Sequence, residues 1–172
     1  AAEFDARYGG VRFLQARNFQ GDERPDKGQL MEQLGADPAK KNAVVFAHIL
    51  WDANLFFGED LFEDYGDWFV QTVRAAVAND RVNWLLKVHP ANIWKRVREG
   101  SVEEELSEIT LIRQHIGELP DHVHLILPNF KANNRALFDI TDYAVTVRGT
   151  VSAELGCFGI PVFTAGTGRC DG

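Results

Sequence analysis

The residues of this chain that could do chemistry gather in short polar clusters, each following an apolar run. His48 with Asp52 and Asn54 comes first, then Lys87 with His89-Pro90, then Pro128-Asn129, and last Arg148-Gly149-Thr150-Val151-Ser152-Ala153-Glu154. A glycine followed by hydroxyl residues at the start of a helix leaves backbone N–H groups and the positive end of the helix dipole facing outward. Such a turn suits a phosphate. Thr150 or Ser152 is expected to cap the helix with its hydroxyl, and Glu154 falls in its first turn, where acidic side chains are favoured. The plainer reading is that Gly-Thr-x-Ser is a helix cap and nothing more. His89 can donate a hydrogen bond to a phosphate from a loop stiffened by Pro90. Lys87, two residues earlier, shares a strand face with it.

Other chemistries find less support. His122 and His124 alternate across one residue and are expected to share a strand face, but no third ligand lies near them, so no metal site is assigned. His115 at a helix end is accounted for by the helix dipole. The chain has no Gly-x-Ser-x-Gly elbow, no Walker loop and no Gly-x-Gly-x-x-Gly after its first strand, so hydrolase, P-loop and nicotinamide readings lack their key residues. Cys157 and Cys170 have no metal-ligand spacing and read as buried or idle thiols.

The elements that must position these groups follow from the apolar patterning. Ala43 to Leu50 is a near-continuous apolar run, as in a strand buried on both faces. Gln29 to Leu34 reads as a short helix ended by Gly35. Asp64 is the expected N-cap of a helix with Trp68, Phe69, Thr72, Val73, Ala76 and Val77 on one face. Val82 to Val88 is a second strand, ending at His89. Asn92 to Gly100 reads as a short helix, and Ser101 opens a longer one, with a capping box and an inner stripe of Val102, Leu106, Ile109, Ile112 and Ile116. Val123 to Leu127, Tyr143 to Val147 and Ile160 to Thr164 complete the strands. Helices are expected over Lys131 to Ile140 and Thr150 to Phe158, with Gly159 stopping the latter. Strands separated by helices imply an α/β fold in three layers: a mostly parallel sheet with helices on both faces. In such sheets ligands bind beyond the carboxyl ends of the strands. The four polar clusters all fall at those ends.

Composition bounds the reading. The chain has 172 residues, of which 45% are hydrophobic and 25% charged, the balance of an ordinary globular domain. A net charge of -7 argues against broad nucleic-acid binding, which needs a basic face. No apolar run approaches the roughly 20 residues of a membrane span, and the first residues do not form a signal peptide. A cytoplasmic location, peripheral to the inner membrane at most, is the expectation. The chain starts without Met and closes on a loop-like Gly-Thr-Gly-Arg-Cys-Asp-Gly, so it reads as an excised piece.

Leu85-Leu-Lys-Val-His-Pro90, Asp142 leading into a strand, and Gly149-Thr-Val-Ser-Ala-Glu-Leu-Gly-Cys-Phe-Gly-Ile-Pro-Val162 together carry a resemblance. They are similar to the C-terminal half of a GT-B type glycosyltransferase. More narrowly, they resemble the bacterial capsule polysaccharide biosynthesis family, relatives of the transferases that use CMP-linked Kdo or sialic acid. The resemblance implies residues 1–34 as an extension or inter-domain linker and 35–172 as a Rossmann-like donor-binding domain, truncated at its C-terminus. It implies His89 as the catalytic, donor-contacting residue, Gly149, Thr150 and Ser152 as phosphate ligands, and Glu154 at the ribose or base. His48, Asp52, Asn54, Lys87, Asn129 and Arg148 are expected only to border the cleft. No cofactor is implied beyond the nucleotide sugar itself, with a CMP-linked donor among the candidates. The partners implied are a glycan or lipid-linked acceptor and an N-terminal Rossmann-like domain of the parent chain, without which the piece should not turn over. The rivals are a nucleotide-sugar 2-epimerase, a CDP-alcohol phosphotransferase, and a non-catalytic domain of a polysaccharide assembly or export complex.

Overall fold

The computed structural model of the chain describes residues 23–50, 61–91 and 105–167. Strands β1 (Lys41–Phe46), β2 (Val82–Lys87), β3 (Val123–Ile126), β4 (Tyr143–Thr146) and β5 (Val162–Thr164) form one five-stranded sheet. Its order is β3-β2-β1-β4-β5 and every pairing is parallel. Helices cover both faces, so the fold is Rossmann-like α/β, as the alternation of elements predicts.

One face carries α1 (Lys27–Leu34), α4 (Asn134–Ile140) and α5 (Val151–Gly156); the other carries α2 (Tyr65–Val77) and α3 (Ser107–His115). The near-continuous apolar run of β1 is needed because both faces are covered. Val44 and Phe46 pack beneath α1 and α4, while Val45 packs beneath α2. Helix α1 is closed at both ends as its residue types dictate. Asp26 and Gln29 form a reciprocal capping box, and Gly35 ends the helix at φ 67°, a conformation that favours glycine. Leu30 and Met31 of α1 are buried in the core, and Glu23 forms a parallel bridge with Ala132. The segment 23–34 is therefore a packed part of the layer. In α2, Asp64 accepts from the Asp67 N–H at 2.7 Å, and Trp68, Phe69, Val73 and Ala76 are buried as expected.

Several local expectations are corrected. The helix expected to run on from Ser101 is not continuous through Glu105 and Leu106, which are non-helical; α3 begins at Ser107, and its buried residues are Glu108 and Ile112. The capping box at Ser101, the helix over 92–100 and the aromatic loop after Leu50 lie outside the described residues. Cys157, read as a buried or idle thiol, is free and exposed at the end of α5, which removes the first of those readings. His122 and His124 diverge: Nε2 of His122 lies 3.1 Å from the Ala76 carbonyl of α2, while the His124 ring packs beside Gly35 at the end of α1. Burial and the neighbouring His122 push His124 below its usual pKa, with Asp121 opposing.

The amino ends of the central strands are joined by a polar network. Asn42 and Asn83 are register partners, and the Asn83 amide donates to Asn42 Oδ1 at 2.8 Å and to the Asp37 carbonyl at 2.8 Å. The Asn42 amide reaches the Ile140 carbonyl at the end of α4 (2.9 Å), and the Asn42 N–H donates to Asp142 (2.9 Å). Lys41 Nζ closes the set, 2.7 Å from Asp142. Desolvation pulls the Asp142 carboxyl upward, but the hydrogen bonds from Lys41 and the Asn42 N–H outweigh it and hold the group below the usual Asp value of 3.8.

Replacing Asn42 by Leu strands several buried partners at once and should cost roughly 2–4 kcal/mol in urea denaturation at pH 7. Asp142→Asn should cost about 1–2 kcal/mol at the same pH. Because the folded-state pKa is depressed, that contribution is present above the ordinary Asp value and lost as pH falls through the folded value. The gap between Asp142→Asn and the parent should therefore close below about pH 4.

Candidate functional site

The strand order creates a crevice. The chain steps from β1 outward to β2 and β3, then returns to the other side of β1 to lay down β4 and β5, so the connections leaving β1 and β4 part from each other above the sheet. A cleft of about 340 Å³ opens there, lined by residues at the carboxyl ends of β1, β2 and β4 and by the starts of α4 and α5. A second hollow, about 670 Å³, lies at the opposite end of the sheet beside Asn42 and Asp142. Both of those side chains are hydrogen-bonded within the protein, so the larger hollow presents no comparable unmet demand.

The cleft brings together His48, Lys87, His89, Gly149, Thr150 and Glu154, which sequence reasoning selected, and adds Asn134, which it did not. His48 stacks on Tyr65, the first residue of α2, with ring centroids 4.1 Å apart. Its Nδ1 accepts the N–H of Ile49 at 3.0 Å, and Nδ1 of His89 likewise accepts the N–H of Ala91 at 3.1 Å. With Nδ1 acting as acceptor, the neutral imidazole carries its proton on Nε2, so both rings are set as Nε2 donors.

Lys87 is the electrostatic centre of the cleft. It ends β2 in register with Phe46, and by strand alternation its side chain lies on the face covered by α4 and α5. No hydrogen bond or ion pair engages its ammonium among the described residues, and burial pushes its pKa down to about 8. A desolvated cation with no counter-ion, opening on a cleft, is an unmet demand for an anion.

The Gly149-Thr150 turn differs in detail from expectation. Thr150 occupies the N-cap position of α5 with helical backbone angles and makes no side-chain cap. Ser152 turns its hydroxyl back to donate to the Gly149 carbonyl at 2.9 Å; it is buried and does not line the cleft. The capping hydroxyl predicted from Gly-Thr-x-Ser is therefore absent. Thr150, exposed at the cleft, has no such internal engagement, and no backbone carbonyl among the described residues takes up the N–H of Gly149 or Thr150.

Two further expectations are corrected in space. Asn129 is exposed and outside the cleft lining, because β3 is the edge strand, two places from the β1–β4 crevice. Arg148 is also outside the lining; its guanidinium lies 5.9 Å from the Tyr65 ring centroid. Asp52 and Asn54 lie outside the described residues. No group of three or more His, Cys, Asp or Glu that could hold a metal occurs among the described residues, and no helix there is long and apolar enough to cross a membrane.

Compared with known proteins, the chain matches no family model, no curated protein and no solved structure.

Substituting Lys87 by Met removes a desolvated charge and should raise stability at pH 7 by about 1–3 kcal/mol. Since the folded-state pKa of Lys87 is lowered, the folded protein releases this proton near pH 8 while the unfolded chain keeps it to about 10.5. The parent thus regains stability across that window, and the advantage of Lys87→Met should shrink between pH 8 and 10.5. Tm values of both proteins over pH 7 to 10.5 check this.

Proposed function

We propose that the cleft binds the phosphate-bearing part of a nucleotide-sugar donor. On this reading the domain is the donor-binding half of a GT-B type glycosyltransferase in capsule or surface polysaccharide biosynthesis. The observation that carries the proposal is Lys87: an ammonium without a partner among the described residues, opening on the cleft at the switch point of a parallel sheet. The transferase reading adds the His-Pro and Gly-Thr-x-Ser resemblance to that cleft.

The chemistry follows from charge. In glycosyl transfer the bond between the anomeric carbon and the phosphate oxygen breaks, and negative charge grows on the departing phosphate. The Lys87 ammonium and the His89 Nε2–H are donors suited to that charge, together with the Thr150 hydroxyl and the N–H groups of the Gly149 turn. In a site shielded from water such donors lower the barrier electrostatically. The acceptor site and the catalytic base would come from an N-terminal Rossmann-like domain of a longer chain, so this piece binds donor without turning it over.

Calorimetric titration with CMP, CDP, UDP and GDP tests the proposal. At least one of them, CMP foremost, should bind. Lys87→Met should weaken it by tenfold or more, the scale of a lost charge-assisted hydrogen bond. His89→Ala and Thr150→Ala should also weaken it while leaving stability within about 1 kcal/mol. Affinity should fall as pH rises past about 8, where Lys87 loses its proton. Binding that is indifferent to Lys87 and to pH, or silence from all four nucleotides, overturns the reading.

A further inference from the structure

Lys87 differs from the other described lysines in what surrounds its amine. Lys41 is paired with Asp142 at 2.7 Å, a hydrogen bond that raises its pKa, and Lys131 lies 3.8 Å from Glu23; both are exposed. Lys27 and Lys40 stand at the other end of the sheet, around the second hollow. Lys87 has no ion pair or hydrogen bond for its ammonium among the described residues, and burial lowers its pKa to about 8. Its backbone is fixed on both sides. The Lys87 carbonyl accepts the Ala47 N–H at 3.0 Å, and the next residue, Val88, donates to the Ile126 carbonyl at 3.0 Å. The amine is thus carried on a flexible stem from a rigid strand end. The cleft it lines, about 340 Å³, falls within the roughly 300–1,000 Å³ of small-molecule sites.

An ammonium in such a place has two ways to shed the cost of burial. It can gain a counter-ion, or it can give up its charge. A neutral lysine amine is a nucleophile, and desolvation is one of the routes by which lysines are activated toward carbonyl carbon.

We propose that Lys87 is a covalent amine site that condenses with the carbonyl carbon of a small aldehyde carrying an anionic group. The neutral Nζ attacks the carbonyl carbon and the carbonyl oxygen takes up a proton, giving a carbinolamine. Loss of that oxygen as water leaves a C=N bond between Nζ and the former carbonyl carbon. Counted from the ammonium, one water and one proton leave, with no change of oxidation state and no co-reactant. The anionic group answers the iminium through which water departs. In that step the nitrogen is again a desolvated cation without an acceptor, and an anion on the same molecule supplies one. Thr150 lines the cleft, makes no side-chain cap and offers that anion a hydroxyl. The other ionisable residues of the cleft lining are His48, His89 and Glu154. The inference goes beyond the donor-binding reading, since it requires the amine and the cleft but no nucleotide.

Reductive labelling tests it. The chain is incubated with pyridoxal 5′-phosphate as the anionic aldehyde and treated with borohydride, which converts the C=N bond to a stable secondary amine for peptide mass mapping. At about pH 7.5 Lys87 should be labelled roughly tenfold or more faster than Lys41 and Lys131, because more of its amine is neutral. Pyridoxal, the same aldehyde without the phosphate, should label Lys87 several-fold more slowly. Lys87→Met, expected to be at least as stable as the parent, should lose the fast label and keep the slow ones. Labelling of Lys87 no faster than of Lys41 and Lys131, or at equal rates with pyridoxal and its phosphate, overturns the inference. Nucleotide binding seen by calorimetry would then still stand. Fast labelling of Lys87 that CMP does not slow supports the inference and counts against the nucleotide reading.

Discussion

The structure hangs on the hydrogen-bonded knot at the amino ends of β1, β2 and β4. Asn42 sits at its centre, tied to Asn83 across one strand pair and to Asp142 across the other, and reaching up to the last carbonyl of α4. Parallel strands rich in Val and Leu offer little of their own to set register, because sliding one apolar residue past another changes burial only slightly. A pair of buried amides behaves differently. A slip of one position would break several hydrogen bonds and leave their groups dry, each at a cost of about 1–3 kcal/mol. The knot therefore fixes where each strand ends at the far side of the sheet, and so where His48, Lys87 and Thr150 stand relative to one another.

The two ends of the sheet are electrostatic opposites. At the amino end every cation and amide of the knot has a partner, and Lys41 is matched to Asp142. At the carboxyl end Lys87 and the Asn134 side-chain oxygen have no partner among the described residues, while the imidazoles of His48 and His89 accept backbone N–H groups at Nδ1. Unmet polar demand in one cleft lowers the stability of the empty protein and raises the affinity for whatever meets it. The knot and the two apolar layers on either side of the sheet position the strand ends that border the cleft.

Much of the architecture was legible from residue types. The strands were found within a few positions, as was the alternation with helices, because apolar runs and caps such as Asp64 and Gly35 act locally. Of the polar clusters, His48, Lys87, His89, Gly149, Thr150 and Glu154 meet at one cleft because all follow strands at or next to the crevice. Asn129 failed the same test only because β3 proved to be an edge strand. Ser152 failed because its hydroxyl found the Gly149 carbonyl first. Asn134 escaped notice because, in sequence, an asparagine beside a helix cap looks like more of the cap.

By itself, then, the sequence determined the class of fold and the list of groups standing at strand ends, since hydrophobic periodicity and turn chemistry are properties of neighbouring residues. The order of the strands, and with it which ends border one another, belonged to the tertiary structure. So did two facts, that among the described residues the ammonium of Lys87 has no counter-ion and the side-chain oxygen of Asn134 no donor. Both are statements about absent neighbours. Whether a group has a partner depends on residues dozens of positions away in the chain, and only packing decides which of them arrive.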